Sequence, residues 1–318
     1  MPNILLDAVH ILPILAAEYD LPAPIDCALI RRGFNDHYKV GTGAETYIFR
    51  CYFQDKYYIE SASDFCFELG LLDFLHTNGV LLSHPIRRNN GELLGEIETP
   101  GGLRHYALFT FAEGEIGKKL DAGQARFLGQ AAARLHQTAD HFETPHSRYH
   151  LNLRYLLDEP MQLIQTFLQE QGHEGVEAFL PDIRELRAQI EALTTNSPAY
   201  GVIHGDMHGG NYAVTDEGAI TFFDFDHGGY GWRAYDLATC KGRLSEEAWS
   251  ACLEGYQEIR PLSLAEIESI PVFQKLRPIW DKGDMLAMRA AWGDSEKLSA
   301  EFARRIHSTF VELFGGGT

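Results

Sequence analysis

The sequence predicts an α+β fold, with a β-rich first lobe that contains one helix and a mainly helical second lobe. Three observations support this prediction. Short runs of β-branched and aromatic residues, separated by glycine and asparagine turns, dominate the first hundred residues. Helical periodicity dominates from residue 122 onward, and the composition changes near Glu113. We therefore place the lobe boundary after Ala112, which gives lobes of residues 1–112 and 113–318.

The first lobe is predicted to consist of short strands around a single helix. Strand patterns cover residues 28–32, 37–41 and 46–53, with turns at 33–36 and 41–43. Apolar residues at helical spacing predict a helix over 61–77, which Asn78 and Gly79 end. Three more strand patterns follow, at residues 84–88, 93–98 and 104–111. The tripeptide at 89–91, Asn-Asn-Gly, predicts a hairpin between the first two of these.

Most of the second lobe follows the helical period. Helices are predicted over residues 122–141, 152–171, 181–193 and 246–260 and over much of 273–313. A strand-like apolar run ends at His204, and a hairpin is predicted from strands at 212–215 and 219–223. With 318 residues and 45% hydrophobic content, the chain can bury a core in each lobe.

The composition argues against several classes of protein. The formal charge of −18, from 45 acidic and 27 basic side chains, argues against nucleic-acid binding and against attraction to an anionic membrane. The five cysteines include no CxxC pair, which indicates reduced thiols. No basic segment precedes the apolar start, and no stretch reaches the length of a membrane span, so we expect a cytoplasmic protein. The sequence does not indicate an oligomeric state.

The strongest functional pattern is H-G-D-M-H-G-G-N at residues 204–211, followed by the strand-like A-I-T-F-F-D-F-D at 219–226. Phosphoryl transfer needs a carboxylate that orients the attacking hydroxyl and oxygen ligands that hold Mg²⁺ on the phosphates. Asp206 and Asn211 have the D-x-x-x-x-N spacing of a kinase catalytic loop, and Asp224 stands where a metal-binding aspartate follows. These residues therefore predict phosphoryl transfer to a hydroxyl.

The pattern resembles the aminoglycoside phosphotransferase/choline kinase family, whose loop reads H-G-D-x-H-x-x-N and which is related to the protein kinases. The homoserine-kinase-II-like and bacterial stress-kinase-like branches are the most similar, and the resemblance is strong for residues 200–238. It implies a bilobal protein-kinase-like fold with ATP and Mg²⁺ as cofactors. In such a fold, residues 1–112 clamp the nucleotide and residues 113–318 carry catalysis and substrate binding.

By the same resemblance, Asp206 is the catalytic base, and Asn211 and Asp224 are metal ligands. Three further residues are expected to support the catalytic loop: His204, His208 and Asp236. A lone histidine at the end of a strand is often a satisfied loop residue, and this structural role is the interpretation we favour for His204.

The first lobe carries the candidates for nucleotide binding. The turn at residues 33–36 is similar to the family's phosphate-side loop, which makes Asn35 a candidate; an ordinary hairpin turn is the alternative. Arg50 stands where the family has a phosphate-contacting lysine, with Glu68 as its expected partner; the alternative is a surface ion pair. Lys56 lies nearby in a predicted turn and ranks lower. Adenine is expected to meet backbone groups at the end of a strand, near Thr110, Phe111 and Ala112.

The phosphate acceptor is expected to bind the helical lobe, at segments that correspond to residues 150–171 and 277–292. The candidates are mainly acidic and aromatic: Asp226, His227, Tyr230, Trp232, Arg233, Tyr155, Trp280, Asp281 and Asp284. Such groups suit an amine-bearing alcohol through charge pairing and cation–π contact, which favours a small amino alcohol or hydroxy amino acid. Core packing is the alternative role for most of the aromatic residues.

Three other functions fit parts of the pattern. A Ser/Thr protein kinase of the same fold shares the motif, but no long activation segment is evident between Asp224 and Asp236. A metallohydrolase with an imidazole-rich metal cluster has five candidate ligands: His204, Asp206, His208, Asp224 and His227. The position of Asn211 and the β-rich first lobe disfavour it. A nucleotide-binding pseudokinase is also compatible with Arg50.

Overall fold

A computed structural model describes residues 5–53, 56–99, 101–173, 175–291 and 300–315. Contacts between residues group the chain into two compact units that are discontinuous in sequence. The first unit consists of residues 1–118, 137–148 and 209–226, and the second of residues 119–136, 149–208 and 227–318. The boundary after Ala112 stays a prediction about lobes, since the compact units interleave along the chain.

The first unit is built on an antiparallel sheet. Its elements are α1 (Ala8–Glu18), β1 (Asp26–Arg32), β2 (Asn35–Gly41), β3 (Thr46–Tyr52), α2 (Ala62–Thr77), β4 (Pro85–Ile86), β5 (Gly95–Thr99) and β6 (Gly102–Thr110). The strand order is β1-β2-β3-β6-β4, and β5 also pairs with β6. Ser61 caps α2 in a reciprocal capping box with Asp64, which explains why the predicted helix starts where it does. Helix α1, which the sequence analysis did not predict, buries Ile11 and Leu15 in the core beneath this sheet.

The predicted hairpin between the segments at 84–88 and 93–98 is wrong. Strand β4 pairs with Leu108 and Phe109 of β6, and β5 pairs with residues 102–106 of the same strand. The turn itself forms, because the Gly91 N–H donates to the Arg88 carbonyl at 2.8 Å. The two segments lie one after the other along one edge of β6 instead of facing each other. A turn signal fixes a reversal of the chain, but the longer neighbouring strand decides what is paired.

A second, three-stranded sheet in the first unit has the order β11-β10-β7. Its strands are β7 (Glu115–Ile116), β10 (Tyr212–Val214) and β11 (Ile220–Phe222). The pairing of Tyr212 with Phe222 and of Val214 with Ile220 confirms the predicted hairpin. Gly114, before β7, has φ +120°, and a Cβ there would lie 2.6 Å from the Val214 carbonyl carbon. Only glycine permits this approach of the chain to β10.

The second unit is mainly helical and includes one small sheet. The remaining elements of the chain are α3 (Ala122–Ala139), β8 (His150–Leu151), a π-helical turn (Arg154–Asp158), α4 (Glu159–Glu170), a 3₁₀ turn (Glu177–Phe179), α5 (Leu180–Glu191), β9 (Tyr200–Ile203), β12 (Gly229–Trp232), α6 (Arg233–Lys241), α7 (Glu246–Ile259), α8 (Leu264–Ala291) and α9 (Ala300–Phe314). Strand β12 lies between β8, to which it is parallel, and β9, to which it is antiparallel.

The helical pattern predicted over 273–313 corresponds to α8 and α9, and Trp292 lies outside the described residues. Strand β12 and helix α6 were not expected from the sequence pattern. Within the described part of the chain, no helix is both long and apolar enough to cross a membrane.

Candidate active site

The catalytic loop begins where β9 ends, and its first two residues are fixed by a buried carboxylate. The Asp236 Oδ2 accepts the His204 N–H at 2.8 Å, and its Oδ1 accepts the Gly205 N–H at 2.9 Å. Gly205 has φ +78°, and a Cβ there would lie 2.2 Å from the His227 carbonyl oxygen. The glycine of the H-G-D motif is therefore required by both backbone conformation and space.

A buried relay holds Asp236 in turn. The His136 Nε2 lies 3.0 Å from the Asp236 Oδ2, and the Tyr256 hydroxyl lies 2.8 Å from the His136 Nδ1. Burial lowers the pKa of His136 to about 4, so the ring is neutral at pH 7. A carboxylate can only accept, so Nε2–H donates to Asp236 and Nδ1 accepts from Tyr256. The predicted loop support by Asp236 thus has a specific geometry, and His136 and Tyr256 extend it.

The two loop histidines have unequal environments. His204 is fully buried, and its Nδ1 accepts the Asp206 N–H at 3.3 Å. The His208 side chain is 44% exposed, and its Nε2 lies 3.5 Å from the Asp206 Oδ2. His204 therefore shapes the loop from inside, whereas His208 faces the carboxylate from the solvent side.

The Asp206 carboxylate is paired with a cation that the sequence analysis did not assign. The Arg277 Nη2, on α8, lies 2.5 Å from the Asp206 Oδ1. Burial raises the pKa of Asp206, but the Arg277 guanidinium, together with His208 and His227, outweighs burial and holds this pKa well below its usual range. Asp206 is therefore an anion throughout the neutral pH range.

A cavity of about 280 Å³ lies within the first unit. Its apolar walls include Ile30, Ile48, Phe109, Phe111 and Ile116, and its polar lining includes Arg31, His37, Arg50 and Asp224. Burial, and then the charge of Arg50, lowers the pKa of His37 to about 4, so this wall carries a neutral imidazole. The combination of flat apolar walls and one charged end suits a ligand with an aromatic part and an anionic part.

Arg50 lies at the charged end of this cavity, on β3. Its Nη1 lies 2.7 Å from the Glu68 Oε1 on α2, and its Nη2 lies 3.5 Å from the Asp224 Oδ1. Its guanidinium carbon lies 4.7 Å from the centroid of the Phe109 ring. Glu68 is almost fully buried, so the surface-pair alternative does not apply to Arg50 and Glu68.

The hairpin of β10 and β11 brings the two predicted metal ligands to the same end of one unit. Asn211 precedes β10, and its carbonyl accepts the Phe223 N–H at 3.0 Å; Asp224 follows directly. Asp224 has φ +63°, the one non-glycine among the described residues with positive φ. Amide and carboxylate oxygens are the donor set that a hard divalent cation prefers, so these residues fit such an ion. No three His, Cys, Asp or Glu side chains in the described ranges are grouped so that they could hold a metal ion.

The other predicted nucleotide residues divide into two groups. The Asn35 Oδ1 accepts the Phe53 N–H at 3.2 Å, so its buried side chain ties the ends of β2 and β3 together. Thr110 already uses its backbone, since its N–H donates to His84 and its carbonyl accepts from the Ser83 hydroxyl. Phe111 and Ala112, by contrast, line the cavity. The structure therefore favours the residues just after β6 as a place for backbone contacts with a ligand.

Lys56, which ranked low in the sequence analysis, is buried against an acceptor candidate. Its Nζ lies 2.5 Å and 2.8 Å from the two Asp226 carboxylate oxygens, and the Tyr58 hydroxyl donates to the same carboxylate at 2.8 Å. The Arg148 Nη2 donates to the Asp226 carbonyl at 2.6 Å. Asp226 therefore has a structural ion pair within the first unit.

The other acceptor candidates lie in the second unit, and some of them form a cluster. The Tyr155 hydroxyl lies 2.9 Å from the His227 Nδ1, and the His227 ring meets the Trp280 ring edge-on at 4.9 Å. Asp284 is buried on the same helix as Trp280. The Asp281 carboxylate, one turn from Arg277, accepts from the Arg277 Nε at 2.7 Å.

Three candidates have partners elsewhere in the second unit. Tyr230 stacks on His150 at 5.0 Å. The Trp232 Nε1 donates to the Thr194 carbonyl at 3.0 Å. Arg233 is fully buried and donates to the His136 carbonyl.

The sequence indicated the candidate residues, but it did not indicate most of their charge and hydrogen-bond partners. In the second unit, Arg277 contacts Asp206 and His136 contacts Asp236. In the first unit, Lys56 and Arg148 contact Asp226. All four partners are far away in the sequence from the residues they contact. One local signal existed, because Arg277 and Asp281 have the i,i+4 spacing of a helical ion pair.

Comparison with known proteins places this geometry in a family. An uncharacterized protein of Synechocystis is 35% identical over 272 residues, which cover 83% of this chain and 73% of the relative. A homoserine kinase of Agrobacterium fabrum is 30% identical over 226 residues, 67% of this chain and 66% of the relative.

Two solved structures show the same fold. A microcompartment-associated aminopropanol kinase has a TM-score of 0.75 at 24% identity and covers 96% of this chain and 95% of its own. The amicoumacin kinase hAmiN, in complex with AMP-PNP, Ca²⁺ and Ami, has a TM-score of 0.75 at 21% identity, with 97% and 93% covered. These matches confirm the predicted α+β, protein-kinase-like fold.

The family model described as "Phosphotransferase enzyme family" (APH) matches residues 26–261. This match spans both the sheet that carries Arg50 and the loop that carries Asp206, and it confirms the family resemblance of residues 200–238. The chain therefore belongs to the phosphotransferase enzyme family and is a phosphotransferase.

Proposed function

We propose that the protein is an ATP- and Mg²⁺-dependent kinase that transfers the γ-phosphoryl group to a hydroxyl of a small molecule. One observation carries the proposal: Arg50 lies on the wall of the cavity of the first unit and pairs there with both Glu68 and Asp224. A strand cation held by a helix glutamate, near a metal-binding aspartate, is the arrangement with which kinases hold nucleotide phosphates. The related structure of hAmiN was determined with AMP-PNP and Ca²⁺.

Each part of the chain has a chemical role in this proposal. The apolar walls of the cavity receive the purine, and Arg50 contacts the phosphates. Asn211 and Asp224 hold the divalent cation, which neutralises charge on the phosphates when it is bound. Asp206 orients the acceptor hydroxyl and takes its proton as the phosphoryl group transfers. The relay of Asp236, His136 and Tyr256 keeps the loop in place.

For the acceptor, we propose a small amino alcohol or hydroxy amino acid. The relatives include a homoserine kinase and an aminopropanol kinase, and both named substrates combine a hydroxyl with an amine. The cluster of Tyr155, His227 and Trp280 adds little to this proposal, because its side chains are buried and the Arg277 guanidinium already lies over the Trp280 ring. Asp226 and Asp281 also contribute little to this proposal, because Lys56 and Arg277 already pair with them.

A protein substrate is less well supported. The chain between Asp224 and Asp236 forms β12, which pairs on both sides, and the first turn of α6. These residues are used in the sheet and helix of the second unit, and none of them forms a long peptide-docking segment.

The test combines binding and turnover. We expect ATP with Mg²⁺ to raise the melting temperature of the protein, because a ligand of the native state stabilises it by mass action. ADP release is then measured with a panel of amino alcohols and hydroxy amino acids, each matched with the same compound lacking the hydroxyl. We expect turnover only with hydroxyl-bearing members. Phosphate transfer to proteins, with none to the panel, would contradict the proposal.

A further inference from the structure

We propose that Arg277 is a positioning residue, which fixes one oxygen of the Asp206 carboxylate so that the other oxygen is presented to the acceptor hydroxyl. The part of this proposal that concerns the acceptor rests on the proposed kinase function. The part that concerns the state of the carboxylate stands on the geometry of the second unit alone.

The guanidinium of Arg277 has a defined partner on each side. Its Nη2 lies 2.5 Å from the Asp206 Oδ1, and its Nε lies 2.7 Å from the Asp281 Oδ1. Its Nη1 lies 3.3 Å from both the Gly205 carbonyl and the Tyr235 hydroxyl. Arg277 thus contacts the catalytic loop at two successive residues, which fixes the loop and the carboxylate together.

The planar face of the Arg277 guanidinium also has a partner. The Arg277 guanidinium carbon lies 4.4 Å from the centroid of the Trp280 ring. Arg277 is also largely buried, so these contacts act with little competition from water. A lysine ammonium is a point charge and cannot reproduce this planar set of contacts.

The two oxygens of Asp206 are therefore different. The Oδ1 is taken by Arg277, whereas the Oδ2 faces the half-exposed His208 ring at 3.5 Å. An oxygen on the side of an exposed ring is the one that a hydroxyl can reach. Restricting the carboxylate to this orientation lowers the entropy that must be lost when the acceptor is aligned.

The charges around Asp206 also determine its strength as a base. Burial raises the pKa of Asp206, and the Arg277 guanidinium then lowers it to well below its usual range, with help from His208 and His227. Asp281 and Tyr235 are the other titratable groups that contact Arg277. Asp206 is therefore a weak base that orients the hydroxyl and accepts its proton late, as a loose phosphoryl-transfer transition state permits.

The direct test is a titration of the Asp206 carboxyl carbon by ¹³C NMR in the full-length chain, with Asp206→Asn for assignment. In the wild-type protein, we expect no titration of this carbon between about pH 4.5 and pH 8. In Arg277→Gln, burial is no longer outweighed, so the titration should move up into this range. An Asp206 signal that is unchanged by Arg277→Gln would overturn the proposal, whether or not an acceptor is known.

Kinetics test the consequence for catalysis. With Arg277→Gln, we expect kcat to fall about a hundredfold with the KM for ATP changed less than about twofold, and activity to be lost on the acid side of the pH profile. Arg277→Lys should restore the acid side but only part of kcat. A purely structural role would instead give equal losses in both variants, with an unchanged pH profile.

Two further variants serve as controls for a loss of activity that comes from misfolding. Asp281→Asn leaves the pair of Arg277 and Asp206 intact and should lower kcat only several-fold. Arg305→Gln removes an arginine from a pair of the same i,i+4 spacing on α9, where the side chain is 69% exposed, and should leave kcat unchanged. If Arg277→Gln does not fold, the kinetics of Arg277→Lys decide the question. A kcat well below that of Asp281→Asn, with an unchanged KM for ATP, supports the proposal, and a kcat equal to that of the wild-type protein overturns it.

Discussion

The cavity of the first unit and the catalytic loop of the second unit both place one guanidinium between two carboxylates. Arg50 lies between Glu68 and Asp224, and Arg277 lies between Asp206 and Asp281. Under the proposed function, the cation is the functional group in the cavity, and the carboxylates hold it. In the loop, the same proposal makes the carboxylate the functional group, and the cation holds it. On this proposal, one three-charge arrangement serves opposite chemical purposes in the two units.

Among the variants in and next to the cavity, the largest effect is expected from Asp224→Ala. The variant removes one carboxylate beside Arg50 and one proposed metal ligand, so turnover should fall about a thousandfold. Binding of ATP without metal should change little, because Arg50 and Glu68 are retained. Turnover is measured by ADP release, and binding by calorimetry in EDTA. Near-normal turnover in this variant would show that the cavity carboxylate serves only to hold Arg50.

The next largest effect concerns the stability of the first unit, in which Lys56 and Asp226 form a buried ion pair. Lys56→Met removes the ammonium from the buried Asp226 carboxylate and should lower the free energy of unfolding by about 3–5 kcal/mol, measured by urea denaturation. Arg87→Gln is the matched control, since Arg87 pairs with Asp73 on the surface and is 54% exposed. It should change the free energy of unfolding by less than about 0.5 kcal/mol. Equal effects of the two variants would contradict the buried, structural role of Lys56.

The relay beneath the catalytic loop makes stability depend on pH. His136 has a pKa lowered to about 4 in the folded protein from an ordinary 6.5, so the unfolded chain binds a proton in this interval and the folded protein does not. The free energy of unfolding should therefore fall as the pH is lowered from 6.5 to 4, by about 3 kcal/mol from this residue. Urea denaturation at a series of pH values measures the slope.

His136→Gln should flatten this slope, because the variant has no imidazole to titrate. The exposed His146 supplies the control, since His146→Gln removes a histidine without touching the buried relay. A slope that is the same in the wild-type protein and in His136→Gln would mean that the titration of His136 does not cause the pH dependence of stability.

The smallest effect is expected from Arg50→Lys, which introduces the residue that is typical of the family. The positive charge is retained, so the affinity for an ATP analogue should change by less than about tenfold. Arg50→Gln loses the charge and should weaken binding more strongly. Calorimetry with a non-hydrolysable analogue compares the two. Unchanged affinity in Arg50→Gln would mean that the positive charge of Arg50 does not contribute to nucleotide binding.

The same two regions show what can be predicted from one sequence. Asp206, Asn211 and Asp224 stood out because their spacing is local and a single hairpin carries two of them. Glu68 was predicted as the partner of Arg50 because the family resemblance implied an ion-pair partner on the helix that follows the strand of Arg50. The charge partners Arg277 and Lys56 were not predicted, since their contacts with Asp206 and Asp226 join positions 71 and 170 residues apart. The β4–β5 hairpin failed for a related reason, because a distant strand offered better pairing.

The central claim, that Asp206 directs phosphoryl transfer, is tested most directly by Asp206→Asn with saturating ATP, Mg²⁺ and the best acceptor. Asparagine keeps the shape of the side chain but cannot accept the proton of the hydroxyl. We expect ADP release to fall at least about a thousandfold while the Kd for the ATP analogue changes less than about twofold. Turnover close to that of the wild-type protein, with unchanged nucleotide binding, would contradict the claim.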